Sequence, residues 1–177
     1  MKYQAVQTDF PAKKPVIDMN CGKVWVGDPC YVVPDDMWGS WCDAYEKYEK
    51  ANPDLPRCYI AECEDGETDH KFYTWSTAYG DGSYRLFVND SQIALLGVDA
   101  GTLSVIPMPL IEHWQKQGRV GDYEDMGQVV LAKHFHGEAD MDGGDLFWGD
   151  VRLPTGGMDE DEEDEECYWE DEEESYA

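Results

Sequence analysis

The sequence predicts an α+β fold: a mainly antiparallel β-sheet domain with about two helices, followed by a disordered acidic C-terminal tail. Three observations support this prediction. Short apolar segments, several with alternating side chains, are separated by Gly, Pro, Asn and Asp, which is typical of strands and turns. Segment 35–51 instead has aromatic residues at helical spacing. Residues 158–177 are mostly acidic and offer little apolar area for a core.

The first elements are expected to be an extended arm and a strand. Residues 1–20 contain prolines beside a lysine pair, which favours an extended arm or an edge strand. Segment 23–27 alternates valine with tryptophan and predicts a strand, which stops at the Gly-Asp-Pro of residues 27–29. A second short apolar run, 30–33, follows and ends at a proline.

A helix is predicted for segment 35–51. Asp35 and Asp36 can cap backbone amides at its start and interact favourably with the helix dipole. Pro53 ends the helix because proline cannot continue the hydrogen-bond ladder. We expect Trp38, Trp41 and Tyr45 to bury one face of this helix against the sheet, because the apolar residues recur every three or four positions. These residues are Met37, Trp38, Trp41, Tyr45 and Tyr48.

The rest of the domain is predicted to be mostly strands. Segments 57–63 and 71–78 are predicted strands joined by an acidic turn. Residues 79–84 supply glycines where a tight hairpin needs positive φ, so 84–88 is predicted to be the returning strand. The remaining predicted elements are strands 93–98, 102–106, 128–135 and 146–153 and a second helix at 107–117.

Charge is the strongest compositional signal. The 177 residues include 39 acidic and 13 basic ones, a formal net charge of −26. Thirteen of the acids lie in the predicted tail, 158–177, which has no Lys or Arg, so the predicted globular domain, 1–157, still carries −13. Such a field repels polyanions, which argues against direct nucleic-acid binding. It favours a positively charged protein as partner, including one that itself binds nucleic acid.

Compartment and chemistry follow from what the sequence lacks. No signal-peptide core and no membrane-spanning stretch is present, so we expect a cytoplasmic protein with no membrane partner, whose six cysteines are free thiols. The sequence has no Gly-x-Ser-x-Gly, no phosphate-binding loop, no dinucleotide-binding glycine pattern and no Cys-x-x-Cys. We therefore expect no cofactor and a non-enzymatic role.

One candidate metal site is the pair His134 and His136. Two residues separated by one other residue on a strand face the same side, and Asp140 could complete the coordination. The segment departs from the His-x-His-x-Asp-His signature of the metallo-β-lactamases, so that assignment is rejected. A structural histidine pair is the alternative interpretation.

A second group of candidates consists of acids close to glycines at strand ends. Aspartates there commonly cap backbone amides, which is the structural interpretation. In the functional interpretation, loops at one end of the sheet converge on a shared polar site. The candidate binding residues in these loops are Asp28, Tyr31, Asp81, Tyr84 and Asp99.

The tail adds two candidate binding residues, Tyr168 and Trp169. Aromatic rings inside an acidic run resemble short linear motifs, in which a ring inserts into a pocket while the acids steer the encounter. A merely solvating tail with incidental aromatics is the alternative.

Three motifs occur in order between residues 22 and 107: Gly-Asp-Pro-Cys-Tyr at 27–31, Gly-Asp-Gly-Ser-Tyr at 80–84 and Val-Asp-Ala-Gly at 98–101. In this combination the chain resembles a group of uncharacterised proteins encoded mainly by tailed bacteriophages. The resemblance implies an origin and no particular activity. It does not extend to the acidic tail.

The favoured function is that of a non-enzymatic phage accessory protein that binds a basic host protein in the host cytoplasm. It would act as an inhibitor or nucleic-acid mimic against host defence or nucleic-acid-binding machinery. Two alternatives stay open. One is a small-ligand or metal-binding domain, or a hydrolase, that uses the turn acids and the histidine pair. The other is a structural or assembly protein of the virion.

Overall fold

The computed structural model describes residues 21–51, 58–64, 69–142 and 144–156. These residues form ten strands in two five-stranded sheets, together with two α-helices. All the strand pairs described are antiparallel. The predicted α+β fold with mainly antiparallel sheet is therefore confirmed. The expectations for residues 1–20 and 158–177, including Tyr168 and Trp169, lie outside the described residues.

The elements follow one another in a regular order along the chain. They are β1 (Lys23–Gly27), α1 (Asp35–Ala51), β2 (Cys58–Glu64), β3 (Asp69–Ser76), β4 (Gly82–Val88), β5 (Ser91–Val98), β6 (Thr102–Pro107), α2 (Met108–Lys116), β7 (Gly127–Leu131), β8 (Asp140–Asp142), β9 (Asp145–Trp148) and β10 (Val151–Pro154). The first sheet has the order β2-β3-β6-β1-β7 and the second the order β5-β4-β10-β9-β8.

The molecule has three layers: helices, first sheet and second sheet. Alternation along β1 makes this clear, because Val24 and Val26 belong to the core between the sheets while Trp25 belongs to the core beneath the helices. Both faces of β1 are thus buried from Val24 onward, which explains why Val24, Trp25 and Val26 are all apolar. Among the described residues, nothing covers the outer face of the second sheet in the way that the helices cover the first.

Trp25 is fully buried and organises the contact between the first sheet and the helix layer. Its indole nitrogen donates a hydrogen bond to the carbonyl of Tyr123 at 3.2 Å. Its ring lies over two paired glycines, because a Cβ added at Gly27 or Gly127 would lie 2.5 or 2.4 Å from ring atoms. These strand positions therefore need glycine for close packing and not for an unusual backbone angle.

Helix α1 spans the predicted residues, and its buried face is the predicted one. Trp41 is 2% exposed and Met37 3%. The half-buried rings of Trp38 and Tyr45 stack on Trp41, with ring centroids 4.8 and 5.7 Å away. Helix α2 begins at Met108 with a proline in its first turn and buries Trp114 completely. The two helix predictions are confirmed.

One predicted connection differs from the structure. Residues 79–84 were expected to close a hairpin, but β3 lies in the first sheet and β4 in the second, so the chain crosses between sheets there. The positive φ angles expected at Gly80 and Gly82 are present, at 77° and 157°. Local backbone angles specify a turn but not the sheet that the next strand joins. The hairpin in this region lies instead between β4 and β5, where Asn89 and Asp90 have positive φ.

Two predicted strands are interrupted in the structure. The strand predicted for 128–135 ends at Leu131, where a 3₁₀ turn, Ala132–His134, begins. The segment 146–153 is two strands, because Gly149 has a φ of 58° and turns the chain from β9 into β10. In the described parts of the chain, no helix is both long and apolar enough to cross a membrane.

Candidate functional site

Three connections meet at one end of the two sheets, and we call residues 28–31, 77–84 and 99–101 the loop cluster. The second connection takes the chain from β3 to β4 and the third from β5 to β6, so both cross between the sheets, and they are joined directly. The backbone N–H of Thr77 donates to the carbonyl of Gly101 at 2.9 Å, and its hydroxyl donates to the carbonyl of Gly80 at 2.6 Å. The candidate residues predicted from the loops therefore do converge.

Asp28 is the centre of the loop cluster and is fully buried. One carboxylate oxygen accepts a hydrogen bond from the N–H of Cys30 at 2.9 Å. The other accepts from the N–H groups of Asp99 and Ala100, both at 2.7 Å. A buried carboxylate is costly unless several donors satisfy it, and charge-assisted bonds of this kind are strong. Asp28 thus fastens the 3₁₀ turn Pro29–Tyr31 to the crossing between β5 and β6.

Tyr31 and Cys30 sit beside this carboxylate. The Tyr31 hydroxyl donates to the carboxylate of Asp99, and this bond raises the pKa of Tyr31 to about 12. Burial, followed by the hydrogen bond with Asp28 and the charges of Asp99 and Asp81, raises the pKa of the Cys30 thiol. Because only a thiolate is strongly nucleophilic, Cys30 is chemically quiet at neutral pH.

Asp81 and Tyr84 complete the loop cluster from the second sheet. The Tyr84 hydroxyl donates to the carbonyl of Gly80 at 2.8 Å. Gly101 packs against this turn, since a Cβ added there would lie 3.5 Å from the Cα of Gly80 and 3.9 Å from a carboxylate oxygen of Asp81. Asp81 itself is exposed.

The loop cluster therefore contains two kinds of acid. Asp28 uses both oxygens to hold backbone amides, which is the structural interpretation of the turn acids. Asp81 and Asp99 are exposed at the surface of the same cluster. A binding role for these two and for the tyrosines stays a prediction.

The histidine pair lies on the loops that follow β7, beside the β9–β10 turn, and its partner is Asp150. The Nδ1 of His134 is 3.1 Å from one oxygen of Asp150, and the Nε2 of His136 is 3.2 Å from the other. Hydrogen bonds from His134 and then His136 lower the pKa of Asp150. The backbone N–H of Asp150 also donates to the carbonyl of His134 at 2.9 Å, so the carboxylate is fixed in place.

This geometry corrects the strand premise behind the metal interpretation, while metal binding by His134, His136 and Asp140 stays a prediction. The histidines do not alternate along a strand: the first ends a 3₁₀ turn and the second follows it. The carboxylate between them is Asp150, which the sequence interpretation did not include. The signal for it was the Gly-Asp pair between two apolar runs, which indicates a turn. Within the described ranges, no group of three or more His, Cys, Asp or Glu side chains is arranged to hold a metal ion.

A further feature of the described chain is the distribution of acids in the helix layer. Burial raises the pKa of Tyr123, and the charges of Glu124 and Glu112 add to this effect. Arg119 forms a two-pronged ion pair with Asp36 at 2.8 and 2.9 Å and so ties the end of α2 to the start of α1. We call the exposed acids of this layer the acidic helix surface: Asp35, Asp36, Asp43, Glu46, Glu112, Asp122, Glu124 and Asp125.

No protein-family model, no curated protein and no solved structure matches this chain. The resemblance to phage proteins that the three motifs carry therefore stays a prediction.

Proposed function

We propose that this protein is a non-enzymatic binding protein whose target is a basic surface on another protein. Its place of action is the host cytoplasm, as the resemblance to phage proteins implies. The target class is a host nucleic-acid-binding protein whose basic site the acids occupy, so that the protein acts as an inhibitor. The observation that carries this proposal is the acidic helix surface.

The composition of that surface supports the proposal. Its carboxylates are spread over both helices and the segment after α2, and they are exposed. The cations of the same layer only partly offset these eight acids, because the described residues include four of them: Lys47, Lys50, Lys116 and Arg119. Lys50 pairs with Glu46 and Arg119 pairs with Asp36. A surface with an excess of negative charge attracts a basic surface and raises the rate of encounter.

The packing beneath the surface also supports a binding role. The helices rest on fully buried side chains such as Trp25, Ile111 and Trp114, so the acids are presented by a well-packed layer. Groups that are held in place before binding lose less entropy when they bind. The tail, 158–177, adds 13 acids and extends the negative field over a longer distance.

The test is affinity capture from host lysate with the full chain, at low and high salt. The informative variant combines Asp122→Asn and Glu124→Gln on the acidic helix surface. The matched control combines Asp90→Asn and Glu138→Gln, which remove the same charge from exposed positions outside the helix layer. We expect a basic protein to be captured at low salt, to be lost at high salt, and to be reduced several-fold by the first pair and little by the second.

Equal loss in both variants would assign the effect to total charge and not to the acidic helix surface. Capture that is unchanged by salt and by both pairs would overturn the proposal.

A further inference from the structure

The outer face of the second sheet has an unusual composition for so acidic a protein. Alternation along its strands turns Leu86, Leu96 and Leu153 into the core between the sheets. The residues on the opposite side combine apolar side chains with arginines. We call them the outer sheet face: Arg85, Phe87, Ile93, Leu95, Phe147 and Arg152.

These side chains are neighbours across the sheet. In the strand register, Arg152 pairs with Phe147 on one side and with Phe87 on the other. Its guanidinium lies over the Phe87 ring, 4.4 Å from the centroid. Arg85 pairs with Leu95, which is 62% exposed. A face that exposes large apolar groups next to cations is typical of a binding surface.

The outer sheet face also has room for a flat group. Gly97 pairs with Ser83 in the register, next to the pair of Leu95 and Arg85. A Cβ added at Gly97 would meet no atom within 4 Å. Two small residues beside a leucine and an arginine therefore leave open space on this face at Gly97.

We propose that the outer sheet face binds the segment 166–170 of this same chain, with Tyr168 and Trp169 as the inserted rings. The segment has the complementary chemistry, because the two aromatic residues are flanked by Glu166 and Glu170. The rings cover the apolar side chains, and the carboxylates meet the two guanidinium groups. Arginine suits this role because its planar fork pairs with carboxylates and stacks on rings.

The path of the chain allows this contact. The described residues end at Gly156. The Tyr79 hydroxyl donates a hydrogen bond to the carbonyl of Gly156, and the N–H of Gly156 donates to the carboxylate of Asp145, both at 3.3 Å. Because β10 runs antiparallel to β4, with Arg152 opposite Phe87, the chain leaves the sheet at the end that carries Arg85. The twelve residues from Gly156 to Tyr168 reach up to about 40 Å, and β4 is about 23 Å long.

A second copy of the protein fits this face less well. Each copy carries a formal charge of −26, so bringing two folded domains together costs repulsion at both surfaces. A tail from the same chain acts at a high effective concentration, because it is tethered. Under this proposal, only the acidic runs on either side of the aromatic pair are expected to be disordered.

The test is photo-crosslinking in the full-length purified protein, with no partner present. A benzophenone-bearing residue replaces Leu95 in one variant and Ile93 in a second, so that a folding defect in one leaves the other informative. The control places the same group at Gln115, which is exposed on α2. We expect crosslinks from the outer sheet face to a peptide containing residues 167–169, within monomers and independent of dilution.

Tyr168→Ala with Trp169→Ala, or Arg85→Ser with Arg152→Ser, should reduce the yield several-fold. Equal yields from the Gln115 control, or yields unaffected by both double variants, would overturn the proposal. Crosslinks between two chains that fade on dilution would overturn it in favour of a second copy. Because no partner is present, each result is independent of the function proposed above.

Discussion

The carboxylate of Asp28 accepts a hydrogen bond from the backbone N–H of Asp99 at 2.7 Å, although the two residues are 71 positions apart in the sequence. This bond and the neighbouring bond from the N–H of Ala100 join the end of β1 to the connection between β5 and β6. The loop cluster is therefore held from its buried side, while its exposed acids are held in position at the surface.

Replacing Asp28 with Asn should destabilise the fold by about 2 kcal/mol or more, because an amide has one acceptor oxygen and turns a donor toward backbone N–H groups. The matched control is Asp81→Asn in the same cluster. Asp81 is exposed, so its replacement should change the free energy of unfolding by less than about 0.5 kcal/mol. Denaturant unfolding of both variants measures the difference. Similar values would show that the buried bonds contribute little.

The Tyr31 hydroxyl should ionise at a higher pH than that of an ordinary tyrosine. Its hydrogen bond to Asp99 raises its pKa to about 12 from 10.0. Because the folded pKa is raised, the stabilisation is present below the ordinary value and is lost as the pH rises through about 12. The absorbance titration of the parent protein minus that of Tyr31→Phe isolates this group. A difference curve with its midpoint near 10 would contradict the bond, provided that circular dichroism shows the fold intact.

The two stacked tryptophans of α1 should differ in their contribution to stability. Trp41 is 2% exposed, so Trp41→Ala should cost about 3–5 kcal/mol. Trp38 is half-buried, and Trp38→Ala should cost clearly less because part of its surface already meets water. Thermal and denaturant unfolding provide both values. If Trp41→Ala hardly changed the free energy of unfolding, the aromatic residues of α1 would be assigned to an interaction surface and not to the core.

Gly127 should not tolerate a methyl group. Its Cβ would lie 2.4 Å from the ring of Trp25, which is fully buried and cannot move freely. We expect Gly127→Ala to destabilise the fold by about 1–3 kcal/mol or more, as overpacked cores do. Gly121→Ala is the control, since a Cβ at that position meets nothing within 4 Å. Equal stabilities would mean that the ring shifts at little cost.

The helices could be predicted from the sequence because their signals are local. Segment 35–51 has acids at its start and an apolar stripe at helical spacing, and both features act within a few residues of one another. Strand β1 could be found in the same way from alternation, and β4 from the glycines of the turn before it. The sheet that each strand joins could not be predicted. The glycines near Asp81 specify a turn, but they do not specify whether the strands before and after it belong to the same sheet.

The candidate site was predictable in part. The residues near Asp28, Asp81 and Asp99 were identified from acids next to turns, but their convergence depends on how the chain crosses between the sheets from β3 to β4 and from β5 to β6. Asp150 was missed because its histidine partners lie 14 and 16 residues away along the chain. The outer sheet face was missed because residues 93–96 of β5 form a continuous apolar run. Such a run is equally typical of a strand that is buried on both faces.

The most direct test of the proposed function is the kinetics of binding to the captured partner as salt is raised. Rates should be measured for the intact protein and for a chain that ends at Gly157. If acids steer the encounter, association should slow steeply with salt, and removal of residues 158–177 should slow association more than it speeds dissociation. Association and dissociation rates that do not change with salt, and are the same for both chains, would contradict the electrostatic account.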